Sequence, residues 1–282
     1  MIILGYIFYF IAASASPIQR RFLAKKKDFG YRDQVSFSFH VFLFLVIGSL
    51  AFPFFSRFYL SGDSFYLFLL SLVCGVFGAA CFVTNYIAQK HLDAGVSNLL
   101  NNINIPIIII LSSFFLNEGL KLSQIAGVVV LLFAVMMVSK KHRIGRFKFD
   151  KYFLLMAASG IMLGILLVAE RALQKTTGFS AGTMLSWWSQ CVFLGMATLY
   201  MKSKHSYTKK ELFVTGSLRF LQALSYVILV FIVGNLSLVS VVTTFKVVIV
   251  FIAAAIFLHE REDVGRKIFG SIIAVIGLLL MK

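Results

Sequence analysis

Charge is what this sequence has least of. Lysine, arginine, aspartate and glutamate make up 13% of its 282 residues, against about 25% in soluble domains. A water-soluble core of this length needs a polar shell, and the chain cannot supply one. Acidic residues are scarcest, 11 against 27 Lys and Arg, for a net charge of +16. An excess of that size is compatible with nucleic-acid binding until its placement is considered. The basic residues lie between apolar runs, in clusters such as Arg20, Arg21, Lys25, Lys26, Lys27 and Lys140, Lys141, Arg143, Arg146, Lys148, Lys151. Loop residues beside an anionic leaflet are distributed in this way, so membrane lipid is an expected partner and nucleic acid is not.

Cysteine is almost as scarce. Cys74, Cys81 and Cys191 all sit inside apolar runs without CxxC spacing, which indicates neither a disulfide framework nor a zinc site. Catalytic signatures are missing as well. His259 and Glu260 open a HEREDVG stretch that lacks the second histidine of HExxH, and His40, His91, His142 and His205 are scattered. No HxxxxD, paired-aspartate, GxSxG or glycine-rich phosphate loop occurs. The reading is therefore no enzyme, with no catalytic residue, metal or cofactor. Uphill movement of a solute would have to draw on a proton, an ion or a counter-substrate.

What the chain has is apolar length: 60% of residues are hydrophobic, 15% are aromatic, and the mean hydropathy is +0.91. Crossing a bilayer takes about 17 to 25 mainly apolar residues, and ten stretches qualify: 2–24, 34–55, 64–89, 95–116, 123–139, 152–174, 179–201, 212–234, 236–258 and 264–281. The first has no basic residue ahead of it and no small-residue cleavage pattern, so it reads as a retained span. The expected fold class is an all-α membrane protein. The longest polar interruption, Lys140 to Lys151, leaves five spans on either side. The fourth span ends NNINIPIIIILSSFFLNE at Glu118 and the ninth ends TTFKVVIVFIAAAIFLHE at Glu260, 142 positions later. A short polar link, a glycine (Gly127, Gly270) and a last apolar helix follow each. Two homologous halves with an odd number of spans must lie in opposite orientations, an arrangement common in secondary transporters. The expected units are 1–141 and 150–282, two inverted five-helix repeats.

The segment from Ile87 to Val138, with Pro106, Glu118 and Gly127, resembles the end of an EamA domain, and the segment from Ser237 to Met281, with Glu260 and Gly270, resembles a second copy. Across the whole chain the pattern is similar to the drug/metabolite transporter superfamily; Val248 stands where that pattern would have a second proline. The resemblance implies a multi-pass protein of the plasma membrane, the inner membrane in a bacterium, that exports or exchanges a small-molecule substrate. Small multidrug exporters of that superfamily carry a glutamate in the first span. The first span here has no acidic residue, which speaks against cationic drugs.

Polar groups inside a span are costly, so each is either a packing contact or part of a site. Asn98, Asn101 and Asn102 follow the i, i+3, i+4 spacing of one helix face, with Asn104 on the next stripe. Pro106 lacks the amide hydrogen that the Asn102 carbonyl would accept, which is expected to leave that carbonyl free. In the ninth span Ser240, Thr243, Thr244 and Lys246 stand at the same offset of 142, so both halves are expected to turn polar faces to a shared cavity. Arg219 shares a helical face with Gln222 and Tyr226, either towards that cavity or snorkelling to the interface. Trp187 is a candidate cavity wall beside Trp188. Glu170 is the candidate for proton coupling, the alternative being an interfacial ion with a nearby lysine. Glu118 and Glu260 read as helix-end residues that tie the halves together.

Lys246 carries the substrate reading. About ten residues from Leu236, at about 1.5 Å each, place it near the middle of a core about 30 Å thick. A lysine there costs about 2.5 to 3.5 kcal/mol in lipid and must face protein or water. It either selects a small polar, anionic or carboxylate-bearing metabolite or pairs with Glu170. The function read from the sequence is thus a secondary transporter working by alternating access, with an integral membrane enzyme or a non-transporting scaffold as the alternatives. Substrate identity, direction and oligomeric state leave no sequence signature.

Orientation has two opposed warrants. Odd-numbered loops and the span ends beside them hold 20 Lys and Arg against 5 in the even loops, their flanking span ends and the termini, which puts both termini outside the cytoplasm, whereas relatives more often keep both inside. On the charge count, a carboxy-terminal reporter that fluoresces only in the cytoplasm should stay dark, and bright fluorescence would reverse the orientation.

Overall fold

A computed structural model of the chain describes residues 2–24, 30–92, 94–117, 122–139, 151–201, 207–243, 246–257 and 264–280. Thr244, Glu118, Glu260 and the polar interruption at 140–150 lie outside the described residues. Within them the regular structure is all helix: α1 (Ile2–Ala24), α2 (Tyr31–Ser49), α3 (Phe52–Phe55), α4 (Ser64–Gln89), α5 (Ala94–Asn101), α6 (Asn104–Phe115), α7 (Leu122–Ser139), α8 (Lys151–Met201), α9 (Lys209–Val233), α10 (Leu236–Thr243), α11 (Lys246–Phe257) and α12 (Val264–Leu280).

Helix ends follow local chemistry. The Asp63 carboxylate accepts the Phe65 N–H at 3.1 Å and starts α4. A capping box starts α9: Thr208 Oγ1 accepts from the Glu211 amide and the Glu211 carboxylate accepts from the Thr208 amide, satisfying two donors that the first turn leaves open. Gly234, at φ +73°, ends α9 in the left-handed conformation that glycine adopts freely.

Among the described residues four helical stretches are long and apolar enough to cross a membrane: Arg32–Phe55, Ser64–Gln89, Lys151–Met201 and Lys209–Val233. Their outer surface agrees, since Phe54, Phe55, Leu199 and Tyr200 are each more than 70% exposed, as are Phe114 and Phe115 of the shorter α6. An apolar surface of that kind aggregates in water and is matched by lipid.

Three expected spans are subdivided. The stretch 34–55 breaks after Ser49 because Pro53 has no N–H for the Ser49 carbonyl and its ring crowds it; the chain resumes as α3. The stretch 95–116 is not one helix but α5 and α6, separated at Asn102 and Ile103. At the same register, α10 and α11 lie on either side of residues 244 and 245. Ala94 to Leu236, Asn104 to Lys246 and Leu122 to Val264 are each 142 positions apart, so the half-helices begin in step. The expected pair 152–174 and 179–201 forms the two arms of α8, folded back at Gly178 (φ +81°, ψ 177°).

Packing brings these pieces to the centre. The most extensive pairings are α4 along α8, α7 along α12 and α1 along α9, while α5 lies on α11 and α6 on α10. The last two pairings exchange first and second half-helices between the two halves of the chain. Ser112 of α6 and Ser237 of α10 seal one of them with a hydroxyl pair at 2.8 Å. Glycines permit the closest approaches. Cβ atoms at Gly160 and Gly164 would come within 3.1 and 3.0 Å of the Asn101 and Asn104 carbonyl oxygens, so α8 rests directly on the α5–α6 junction.

The α8 hairpin closes on Gly182, where a Cβ would lie 2.6 Å from the Gln174 amide nitrogen. Backbone on that side cannot step aside, and overpacking costs about 1 to 3 kcal/mol. Gly182→Ala should therefore lower the melting midpoint of the detergent-solubilised protein, whereas Gly265→Ala, where nothing lies within 4 Å, should not. Equal midpoints for the two variants would contradict the tight hairpin.

Candidate functional site

The α5–α6 junction, α8, α9 and the facing ends of α10 and α11 enclose a cavity of about 750 Å³, its mouth included. Of the residues singled out in the sequence, Asn101, Asn102, Asn104, Glu170, Trp187, Arg219, Gln222, Thr243 and Lys246 line it. Asn98 lines an adjoining cavity of about 490 Å³, its mouth included, and Thr244 lies outside the described residues. Asn101, Arg219, Gln222 and Lys246 border both spaces.

Lys246 is the first residue of α11. Its Nζ donates to Tyr9 Oη at 3.1 Å and stands 5.7 Å from the centre of that ring. The partner the structure gives it is thus a neutral phenol on α1, not Glu170. Tyr9 packs on Tyr226, whose hydroxyl meets Ser240 Oγ at 2.7 Å. Thr243 donates to the Ser240 carbonyl within its own helix. Arg219 turns inward: Nη1 donates to Gln222 Oε1 at 3.2 Å, and the guanidinium lies 4.5 Å from the centre of the Phe82 ring. Phe82 is fixed edge-on against Phe42, with ring centres 4.7 Å apart. An interfacial, snorkelling Arg219 is therefore replaced by one held over an aromatic wall.

Glu170 is buried, at 5% exposure, with Trp187 and Ser186 hydrogen-bonding to it and the Arg219 charge nearby. Its Oε1 has no protein partner and is shielded from the surface. The interfacial reading with a lysine partner does not hold, because the basic residues that follow it are engaged elsewhere. Arg171 donates to the Gly234 carbonyl at 2.8 Å and Lys175 to the Leu116 carbonyl at 2.8 Å. Gly234 and Leu116 cap the carboxyl ends of α9 and α6, where cations offset unpaired carbonyls.

The asparagines behave differently from one another. Asn101 accepts from Asn85 Nδ2 at 3.3 Å. The amide nitrogen of Asn102 and the amide oxygen of Asn104 are buried without a protein partner. The Asn102 carbonyl is not free, as Pro106 had suggested. The Ile105 N–H takes it at 3.0 Å, a three-residue closure that tightens the junction where the α-helical bond is impossible. Trp187 is 2% exposed and packs edge-on against Phe52, whereas Trp188 is 43% exposed and donates to Ser49.

Several lining residues escaped the sequence reading. Asn85 and Gln89, at i and i+4 in α4, obey the same rule that selected the asparagines, and Gly160 and Gly164, which do not line the cavities but pack beneath the α5–α6 junction, form a GxxxG pair; both signals were present. Tyr9 and Gln190 gave none, because one aromatic among many or one amide in a 51-residue helix is not distinctive. Among the described residues no group of three or more His, Cys, Asp or Glu is placed to hold a metal.

Residues 1–140 match the EamA-like transporter family, consistent with membership of the drug/metabolite transporter superfamily. No curated protein matches the chain at a significant level. The fold has counterparts among solved structures: one crystal structure superposes with a TM-score of 0.68 over 98% of this chain and 97% of the other, at 14% sequence identity. That similarity is one of fold.

In a background with Cys74, Cys81 and Cys191 replaced by alanine, Asn101→Cys and Asn102→Cys should react with a water-soluble thiol reagent. Ile107→Cys, packed against Gly164 of α8, should react slowly. Equal rates at the three positions, or no reaction at the first two, would return the asparagines to a packing role.

Proposed function

Because the N-terminal half of the chain belongs to the EamA-like transporter family, we propose that the whole chain is a ten-helix secondary carrier built from two inverted repeats, 1–141 and 150–282. In this reading it moves a small polar, anionic or carboxylate-bearing metabolite across the plasma membrane by alternating access. The single observation that carries the substrate class is the composition of the cavity wall, in which Lys246 and Arg219 face one carboxylate, Glu170. Cations held in a low-dielectric cavity are worth more to a bound anion than the same charges in water. The planar Arg219 fork suits a carboxylate.

The repeat reading is supported by the matched registers of α5–α7 and α10–α12 and by the reciprocal pairing of α5 with α11 and α6 with α10. Interrupted helices that cross at mid-membrane put polar backbone and side chains beside a water-filled space without exposing them to lipid. In the empty carrier Glu170 balances part of the cationic charge. A proton on Glu170, or exchange for a second anion, would leave both cations to the substrate, and this is the proposed coupling step.

Purified protein in liposomes tests this directly. Anionic solutes should be taken up or exchanged without chemical change, and Lys246→Gln should lower flux at least tenfold while the variant still folds and inserts. Normal flux by that variant, or rescue by the further change Glu170→Gln, would remove Lys246 from the substrate site. Conversion of the solute would mark an enzyme, and no flux of any solute a scaffold.

A further inference from the structure

The smaller cavity differs in chemistry from the larger one it adjoins. Beyond the shared residues Asn101, Leu163, Arg219, Gln222 and Lys246, it is lined by Cys81, Phe82, Asn85, Gln89, Ser97 and Asn98. It therefore adds no further charge to the two cations that border it, and its added polar groups are three carboxamides and one hydroxyl. Some of these are structural: Gln89 Nε2 donates to Asn85 Oδ1 at 2.7 Å, and Asn85 donates to Asn101 Oδ1 at 3.3 Å and to Ser159 at 3.3 Å. Two are not accounted for by the fold. Asn98, 6% exposed, has its amide nitrogen buried without a protein partner, and Ser97, fully buried, has its hydroxyl in the same condition.

A buried donor without an acceptor costs about 1 to 3 kcal/mol. Two on adjacent residues, both bordering one cavity, call for an acceptor from outside the protein. Water can fill that role in the empty state. A solute that replaces it must bring its own oxygen acceptors, and the fixed cations at the boundary require that its other end be anionic.

We infer that this second chamber is a specificity subsite for the uncharged, hydrogen-bonding end of a bifunctional solute, a carboxylate that also carries a carboxamide or a comparable carbonyl-bearing group. The acid end lies at Lys246 and Arg219, and the neutral polar end accepts hydrogen bonds from Asn98 and Ser97 among the amides of α4 and α5. This deepens the carrier reading above and rests on it. It also gives the asparagine-rich face of the fourth span a role that charge selection alone does not need. Sites built to hydrogen-bond a substrate group discriminate against its apolar isostere, because the unpaired protein groups are left behind.

The test compares two acids of equal charge and similar shape, succinamate and 4-methylpentanoate, by calorimetric titration of the purified full-length protein. Succinamate should bind the wild type more tightly. Asn98→Leu and Ser97→Ala should each reduce that preference by about three- to tenfold, the range expected for one hydrogen bond, while leaving 4-methylpentanoate affinity unchanged. Retained binding of the apolar acid also shows that each variant is folded. Equal affinity of the two acids for the wild type, or a preference unaltered by both substitutions, overturns the subsite and leaves the anion reading standing. Undiminished binding of both acids to Lys246→Gln, or no binding of either acid to the wild type, instead removes the anion reading and the subsite with it.

Discussion

Hydrocarbon supplies no hydrogen bonds, and every buried backbone or side-chain polar group in a membrane must find its partner inside the protein or in an enclosed aqueous space. Almost everything unusual in this chain follows from that constraint. Helices close their own hydrogen bonds, so the described chain is helical. Where proline prevents closure, the structure answers locally: α3 restarts the second span, and the Ile105 amide takes the Asn102 carbonyl. At the ends of α6 and α9 the carbonyls of Leu116 and Gly234 are met by Lys175 and Arg171. Those two basic residues flank Glu170 in sequence but serve helix ends in space.

The same constraint concentrates polar side chains in one place. The junction between α5 and α6 interrupts the helix, and α8 reaches it closely only because Gly160 and Gly164 carry no side chain. With α10 and α11 approaching in the same register, Lys246, Arg219 and Glu170 come to line one central cavity. Lys246 and Arg219 are held there by a phenol, an amide and aromatic faces. In the carrier reading proposed above these cations serve the ligand, and Glu170 lines the same cavity. In that reading, cations held in position by fixed dipoles and rings limit the reorganisation that binding requires.

Charge scarcity and apolar length made the membrane class legible from the residues, because lipid imposes a composition on any chain that crosses it. The offset of 142 gave the matching register, the resemblance of the segments around Pro106, Glu118 and Glu260 gave the family, and the division of the fourth and ninth spans into half-helices came only with the structure. Asn101, Asn102, Asn104, Thr243 and Lys246 could be picked out for the same reason: a polar group in an apolar run is conspicuous. Tertiary structure decided what those groups do. It assigned Lys246 to Tyr9 rather than to Glu170, turned Arg219 onto Phe82, split the asparagines between two chambers and withdrew Lys175 from Glu170. Each of these choices depends on which helices lie side by side and at what depth, and that is set by glycine contacts and half-helix crossings between segments as much as 237 residues apart. Spacing along a helix reports which side chains share a face; only packing of one helix on another decides what that face meets.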